Sequence, residues 1–420
     1  MDVTAKDTGP PHQSRLGWLV FLMVVILFFV PVGHHTLQIA YGLLLVFVIL
    51  HFHRLRQNWY LGKAQALLVP LIVYIGVCVL GSFGAGFEGG LLSAARLRDH
   101  CIGLIFVIFL VDVDAATRLK LTVGLIFGGL VGVSVAFVQF FAGIRPLADL
   151  LGIVEKQQAM LHPSLPGHLA GSGLLYDRIP FALLCATLGI FLLGAALYCC
   201  RTQLWRIGCL VTALLFFMGP ILAGSRMAIL LCFFGALWLF TIFSWRQKNK
   251  FIIIVLATAV LTLFAAAIGS GLLSYEQMNS SIDTTQNMDR IFIWQRALEI
   301  FSDHPLWGTG YGHYPQVAPM VYHTSTPFRP ENNHAHNLLL TLLAETGIVG
   351  FWAFLFLWWR WGRRFWMQKE EPIVICAAGS CLIFLLASTV HDPWFHSNMV
   401  SVFWWFAAVA CTPLPERSIN

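Results

Sequence analysis

Charge is what this sequence has least of. Of 420 residues only 11% are Asp, Glu, Lys or Arg, against about 25% in a soluble domain. A soluble chain of this length could not cover its surface with so few charges, so an assembly of two or three soluble domains is excluded. Hydrophobic residues reach 58%, which excludes disorder and a collagen-like chain. Cysteine pairing is also missing. The ten cysteines include no C-x-x-C pair and follow no regular spacing. Cys78, Cys185, Cys232, Cys376 and Cys381 lie inside apolar runs and read as small buried hydrophobes, not as a disulfide frame or a zinc site. The net charge of +6 does not imply a nucleic-acid partner, because in a membrane chain the placement of Lys and Arg matters more than their sum.

Long apolar runs such as LGWLVFLMVVILFFV and GFWAFLFLWW are present, and they do not alternate every second residue as barrel strands would. The sequence therefore predicts an all-α, polytopic integral membrane protein with about twelve transmembrane helices in one domain over 1–420. The spans fall near 16–32, 36–51, 64–83, 101–113, 119–142, 178–199, 205–221, 227–244, 251–270, 336–359, 373–390 and 396–412. The polar start MDVTAKDTGPPHQSR has no small-x-small cleavage site after it, and reads as leading into a retained first helix. With the N-terminus inside, Arg54, Arg56, Lys63, Lys248, Lys250, Arg360, Arg363 and Arg364 join the larger share of the basic residues on the cytoplasmic side, so both termini are expected there. Of the 15 histidines only His12, His51 and His53 fall inside. Any chemistry is expected to face outward.

Two outer segments are long: 143–177 and 271–335. The second precedes the tenth span and is too long for a simple turn. In DRIFIWQRALEIF, Ile291, Trp294, Leu298 and Phe301 recur at three and four, which predicts an amphipathic helix on the membrane surface. The Gly-rich HPLWGTGYG then reads as a turn.

The segment ENNHAHNLLLTLLAETGIVG is the most informative. With Asn332 or Asn333 as N-cap, His336 falls in the first helical turn. Gly347 then lies within about 20° of it on the helix wheel and ~16.5 Å deeper. Gly347 and Gly350 form a small-residue patch that would admit another helix. The positive end of the helix disfavours imidazolium, so a neutral His336 suits a general base. It reads equally as an interfacial histidine that caps the helix or meets lipid headgroups. His334 and His336 could also bind a metal with His391 or His396, though no HExxH-type spacing supports that.

Arg178, Arg226 and Arg290 precede or open helices on the outer side. Guanidinium and helix-start amides together suit phosphate or pyrophosphate. Headgroup snorkelling, or ion pairs such as Asp177 with Arg178 and Asp289 with Arg290, is the alternative. Arg96, Arg98, Arg145, Arg296 and Arg329 are weaker candidates by position. Asp392 in VHDPWFHS could orient the histidine or a basic side chain, or cap the helix that follows Pro393.

His336, Asn337, Gly347 and Gly350 in HNLLLTLLAETGIVG resemble the signature of the O-antigen ligase and polymerase family. DRIFIWQRALEIFSDHPLWGTGYG and the GSR at 224–226 resemble it too, so the likeness is specific over roughly 220–350. The resemblance implies a glycosyltransferase of the bacterial inner membrane with its active site facing the periplasm. Its donor would be a glycan linked to undecaprenyl pyrophosphate, and its acceptor a sugar hydroxyl of lipid A–core, in lipopolysaccharide assembly. It implies an inverting reaction with no metal and no cofactor. His336 would be the base, Arg226 and Arg290 would hold the pyrophosphate with Arg178 as a third, and His334, Asn337, Asp392 and Arg296 would support them. Within the family, a polymerase and a protein O-oligosaccharyltransferase are the alternatives, and the short tail after the last span favours the ligase. From a different class, a transporter would hold ionisable groups or broken helices near the midplane. Glu345 is the main charged residue within a span.

Overall fold

The computed structural model describes residues 11–60, 65–83, 86–111, 113–144, 162, 165, 167–175, 177–247, 284–321 and 334–412. The expected ninth span at 251–270, and most of the segment 143–177, lie outside the described residues.

The described residues are helical, with no β-strand. In chain order the helices are α1 (Pro11–Val32), α2 (His34–Tyr60), α3 (Gln65–Phe83), α4 (Gly86–Leu110), α5 (Ala115–Ala142), α6 (Arg178–Tyr198), α7 (Gln203–Leu222) and α8 (Arg226–Gln247). They continue with α9 (Thr284–Asp303), α10 (Tyr314–Val321), α11 (Leu338–Met367), α12 (Pro372–Ala387) and α13 (Ser397–Cys411). Among the described residues, six segments are long and apolar enough to cross a membrane: Thr36–His53, Ala115–Ala142, Arg178–Tyr198, Gln203–Leu222, Arg226–Arg246 and Leu338–Met367. Val20–Val32, Leu67–Phe83, Pro372–Ala387 and Ser397–Cys411 are apolar but shorter. The fourth expected span, 101–113, is the second half of a longer helix. α4 begins at Gly86 and carries Arg96, Arg98 and Asp99. Those charges are accommodated because Arg96 pairs with Glu345 of α11 at 3.6 Å, and Arg98 pairs with Asp99 at 3.1 Å.

α13 is the axis of the bundle. Trp404, Trp405 and Phe406 are fully buried, as expected of a helix apolar on every face. The indole N–H groups find partners: Trp405 donates to Thr122 Oγ1 at 3.1 Å and Trp404 to His100 Nδ1 at 3.2 Å. α13 packs against both α12 and α4; α12 packs in turn on α6, which packs against α7 and α8, and α4 packs on α3, which packs against α11. Arg118, in the first turn of α5, is fully buried. It donates to Leu110, Val113 and Thr412 carbonyls at 2.8–2.9 Å, satisfying the ends of α4 and α13.

α11 is not one continuous helix. Gly347 has φ +62 and ψ −166, a conformation essentially confined to glycine. The backbone of the loop 305–310 fills the break. Thr309 and Gly310 amides donate to the Ala344 and Glu345 carbonyls at 3.0 and 2.8 Å. The Ile348 and Val349 amides donate to the Pro305 and Leu306 carbonyls at 2.9 and 3.2 Å. Exposed helix ends are thus satisfied inside the protein, as apolar surroundings require. The expected small-residue patch is corrected accordingly. Gly347 admits the loop at Leu306–Trp307, where a Cβ would strike the Leu306 carbonyl. Gly350 faces Thr346 of its own helix. In the stretch expected as a turn, Pro305–Trp307 are exposed but Gly310–His313 are buried: the Tyr311 amide donates to Ser82 Oγ at 3.2 Å.

The amphipathic helix is α9, but its buried stripe differs from the expected one. Ile293, Ala297 and Ile300 are buried against Tyr314, Ala318, Ala335 and Ala344, whereas Ile291 and Leu298 are exposed. Alanine on both elements lets α9 approach α11 closely, which favours this stripe over the bulkier one.

Candidate active site

His336 lies outside the helix it was expected to join. α11 starts at Leu338, and its N-cap is Asn337, whose Oδ1 accepts from the Leu339 and Leu340 amides at 3.0 and 3.3 Å. Asn332 and Asn333 lie outside the described residues. The helix-wheel relation between His336 and Gly347 therefore does not hold. His336 instead has φ +49, and among the described residues it is the non-glycine with positive φ. Such a conformation persists where its surroundings fix it. The fixings are visible on both sides. Asn337 Nδ2 donates to the Thr389 carbonyl at 3.1 Å and the Leu338 amide to Ser388 at 2.8 Å, stapling α11 to the end of α12. Trp294 of α9 donates its indole N–H to the Ala335 carbonyl at 3.1 Å, between the two histidines.

Four imidazoles form a row. The His334 and His336 ring centroids are 4.1 Å apart, and His336 lies over His391 at 6.0 Å with 23° between planes. His391 lies over His396 at 6.0 Å and 19°. Burial, then the neighbouring histidines, holds His334 well below the ordinary imidazole range. Burial also lowers His396, opposed by the Asp177 charge. Ring nitrogens of His334, His336 and His391 lie within 4.8 Å of one another. Three such ligands can hold a transition metal after closing on it, and equally can pass a proton between rings.

Asp392, which follows His391 in the chain, is fully buried and accepts from the Trp394 amide at 3.3 Å, capping the short turn Pro393–Phe395 that leads into α13. Burial raises its carboxyl to about 7, with the Glu345 charge adding to the rise. The Thr341 hydroxyl, Arg96 and the Trp394 amide oppose it.

The arginines have different surroundings. Arg178 opens α6 after the Asp177 N-cap, and its Nη1 donates to the Ala223 and Gly224 carbonyls at 3.0 and 3.3 Å. It therefore braces the turn in which Gly224 has φ +62, and this turn presents Arg226. Arg226 is half-buried at the start of α8 and has no hydrogen-bond or ion-pair partner among the described residues. Arg290 belongs to α9, and its side chain lies outside the described residues. Arg296 is paired with Glu299 on its own helix at 2.5 Å. His162 hydrogen-bonds the Ile221 carbonyl at 2.8 Å beside the same turn.

An unpaired arginine, a row of imidazoles and a buried carboxylate thus share one end of a polytopic helical membrane protein. Among the described residues, that is an arrangement for proton transfer next to an anionic group. Residues 211–355 match the family model described as O-antigen ligase. The family implies a membrane glycosyltransferase. No curated protein matches the chain. The matched region holds Arg226, Arg290, Arg296, His334, His336, Asn337, Gly347 and Gly350, while Arg178, Asp392, His391 and His396 lie outside it.

His336 and Asp392 are candidates by sequence, and His391 and His396 are so only as metal ligands. Sequence reasoning missed Trp294 as an anchor of the histidine segment and the ion pair of Glu345 with Arg96. Neither has a local signal, since each joins residues more than 40 positions apart.

Proposed function

We propose that this protein transfers O-antigen glycan from undecaprenyl pyrophosphate to a sugar hydroxyl of lipid A–core. It does so at the periplasmic face of a bacterial inner membrane, with about twelve spans and both termini cytoplasmic. One observation carries this reading: His336, within the family-matched region, is fixed in a left-handed backbone inside the imidazole row, between His334 and His391. A neutral imidazole there takes the proton of the acceptor hydroxyl as its oxygen attacks the anomeric carbon. The bond from that carbon to the pyrophosphate oxygen breaks, and the configuration inverts. The electron pair leaves with the pyrophosphate, whose charge Arg226 and Arg290 neutralise, so no metal is needed. Arg178 holds the turn that presents Arg226. The proton leaves His336 along His391 and His396, or to Asp392.

Polymerisation of glycan units and transfer to a protein hydroxyl use the same groups and differ in the acceptor. Transport is the reading that the break at Gly347 and the nearby Glu345 would favour. The amides and carbonyls at that break are taken by loop 305–310, and Glu345 by Arg96 and the Tyr314 amide, which leaves that segment occupied by the protein itself.

The test compares purified wild type with His336→Ala for transfer of glycan from undecaprenyl pyrophosphate to rough lipopolysaccharide. Transfer by the wild type and none by a folded variant is expected. Activity on glycan units or a peptide alone would move the assignment to polymerase or protein glycosylation.

A further inference from the structure

Three of the four imidazoles in the row close into a triangle. The ring centroids of His334 and His336 are 4.1 Å apart, those of His336 and His391 6.0 Å, and those of His334 and His391 6.1 Å. Three imidazoles bound to one tetrahedral ion place their ring centres about 5 Å apart. The rings therefore already stand at the spacing that a shared ion requires. Their nitrogens lie within 4.8 Å of one another, and on an ion they would lie about 3.4 Å apart. Rotation of a ring about its Cβ–Cγ bond moves its nitrogens far more than its centre, so the rings can close without moving their backbones. His396 extends the row from His391 and stands outside this group.

The backbone beneath the three rings is held by contacts that need no ion. His334 and His336 flank Ala335, whose carbonyl accepts from Trp294 at 3.1 Å. The His391 amide donates to the Ala387 carbonyl at 2.9 Å, and the staples from Asn337 and Leu338 to Thr389 and Ser388 join the two segments. Little ordering is left for a ligand to impose, which favours tight binding. His334 is buried, whereas His336 and His391 are half-buried, so an ion can enter from their side and keep a water in its fourth position. The ligand set selects the ion. Imidazole suits zinc, copper and nickel, whereas magnesium and calcium require oxygen ligands, and this group contains no carboxylate. Arg96, whose charge reaches His334, is paired with Glu345 at 3.6 Å, so its repulsion of a cation is offset.

We propose that His334, His336 and His391 form an inhibitory site for a divalent transition-metal ion such as zinc, which on binding occupies the His336 nitrogen that would take the acceptor's proton. The inhibition rests on the glycosyltransferase reading, and the ion site does not. Two readouts on the purified full-length protein, carrying no polyhistidine tag, separate them. The first is titration with Co²⁺. One ion per chain is expected, with the visible absorption of a tetrahedral nitrogen site, displaced by Zn²⁺ and unaffected by Mg²⁺. His334→Ala and His391→Ala should each weaken Co²⁺ binding about a hundredfold or more. Should His334→Ala fail to fold, the half-buried His391 carries the test. Unchanged Co²⁺ affinity in His391→Ala, or an ultraviolet thiolate band that puts the ion on cysteine, overturns the site. The second readout is transfer. Saturating Zn²⁺ is expected to lower it about 10²-fold or more, as loss of the base would, and EDTA to restore it. Undiminished transfer by the ion-saturated protein overturns the inhibition. Co²⁺ binding that depends on His391 in a protein that transfers no glycan supports the site and refutes the glycosyltransferase reading.

Discussion

At the scale of single residues, the same side-chain types do different work according to what they touch. Among the described residues Arg226 is unpaired and Arg178 braces its turn, so the two should fail differently. Arg226→Ala is expected to cost roughly 10²-fold or more in transfer with an unchanged Tm, whereas Arg178→Ala should lower Tm as well. Near-normal transfer by Arg226→Ala would remove the pyrophosphate role. With His336 as the proposed base, His336→Ala should cost about 10²–10⁴-fold in kcat. Asp392 gives a pH signature. Its carboxyl is raised to about 7 in the folded protein, so between roughly pH 4 and 7 the folded state binds more protons than the unfolded one. Stability from this group is complete below pH 4 and declines as pH rises through 7. Tm in detergent should therefore fall between pH 5 and 8 in the wild type and fall less in Asp392→Asn. Equal slopes would refute the shift.

At the scale of elements, the break in α11 decides how the site is held. Gly347→Ala would place a Cβ against the Leu306 carbonyl in a backbone region that only glycine adopts readily. A loss of about 1–3 kcal/mol or more is expected, measured as a lower Tm together with weaker transfer. Wild-type Tm in this variant would mean the break is not required. Most helices were legible in the sequence because an apolar run of sufficient length is a local property. The stripe of α9 was not, because both Ile291–Trp294–Leu298 and Ile293–Ala297–Ile300 satisfy helical spacing, and only the partner surface selects between them. The break at Gly347 was hidden for a related reason. The hydrogen bonds that stabilise it come from Pro305–Gly310, about 40 residues earlier. His336 was legible as a candidate from its motif. Its backbone conformation was not, since it depends on staples to Ser388 and Thr389 and on Trp294.

At the scale of the whole molecule, α13 joins two groups of helices, and the site is built from both. The imidazole row bears on metal dependence. Chelation with EDTA is expected to leave transfer intact. A loss restored by a divalent ion would make His334, His336 and His391 a metal centre instead. The row also spans two regions of sequence, since His334 and His336 precede α11 while His391 and His396 follow α12. During synthesis the family-matched region therefore reaches the membrane with only part of its machinery. Until the α12–α13 connection arrives, His336 lacks its stacked neighbour His391 and the staples to Ser388 and Thr389. The order of translation thus completes this segment last: the row of imidazoles closes only as the last described helix seats.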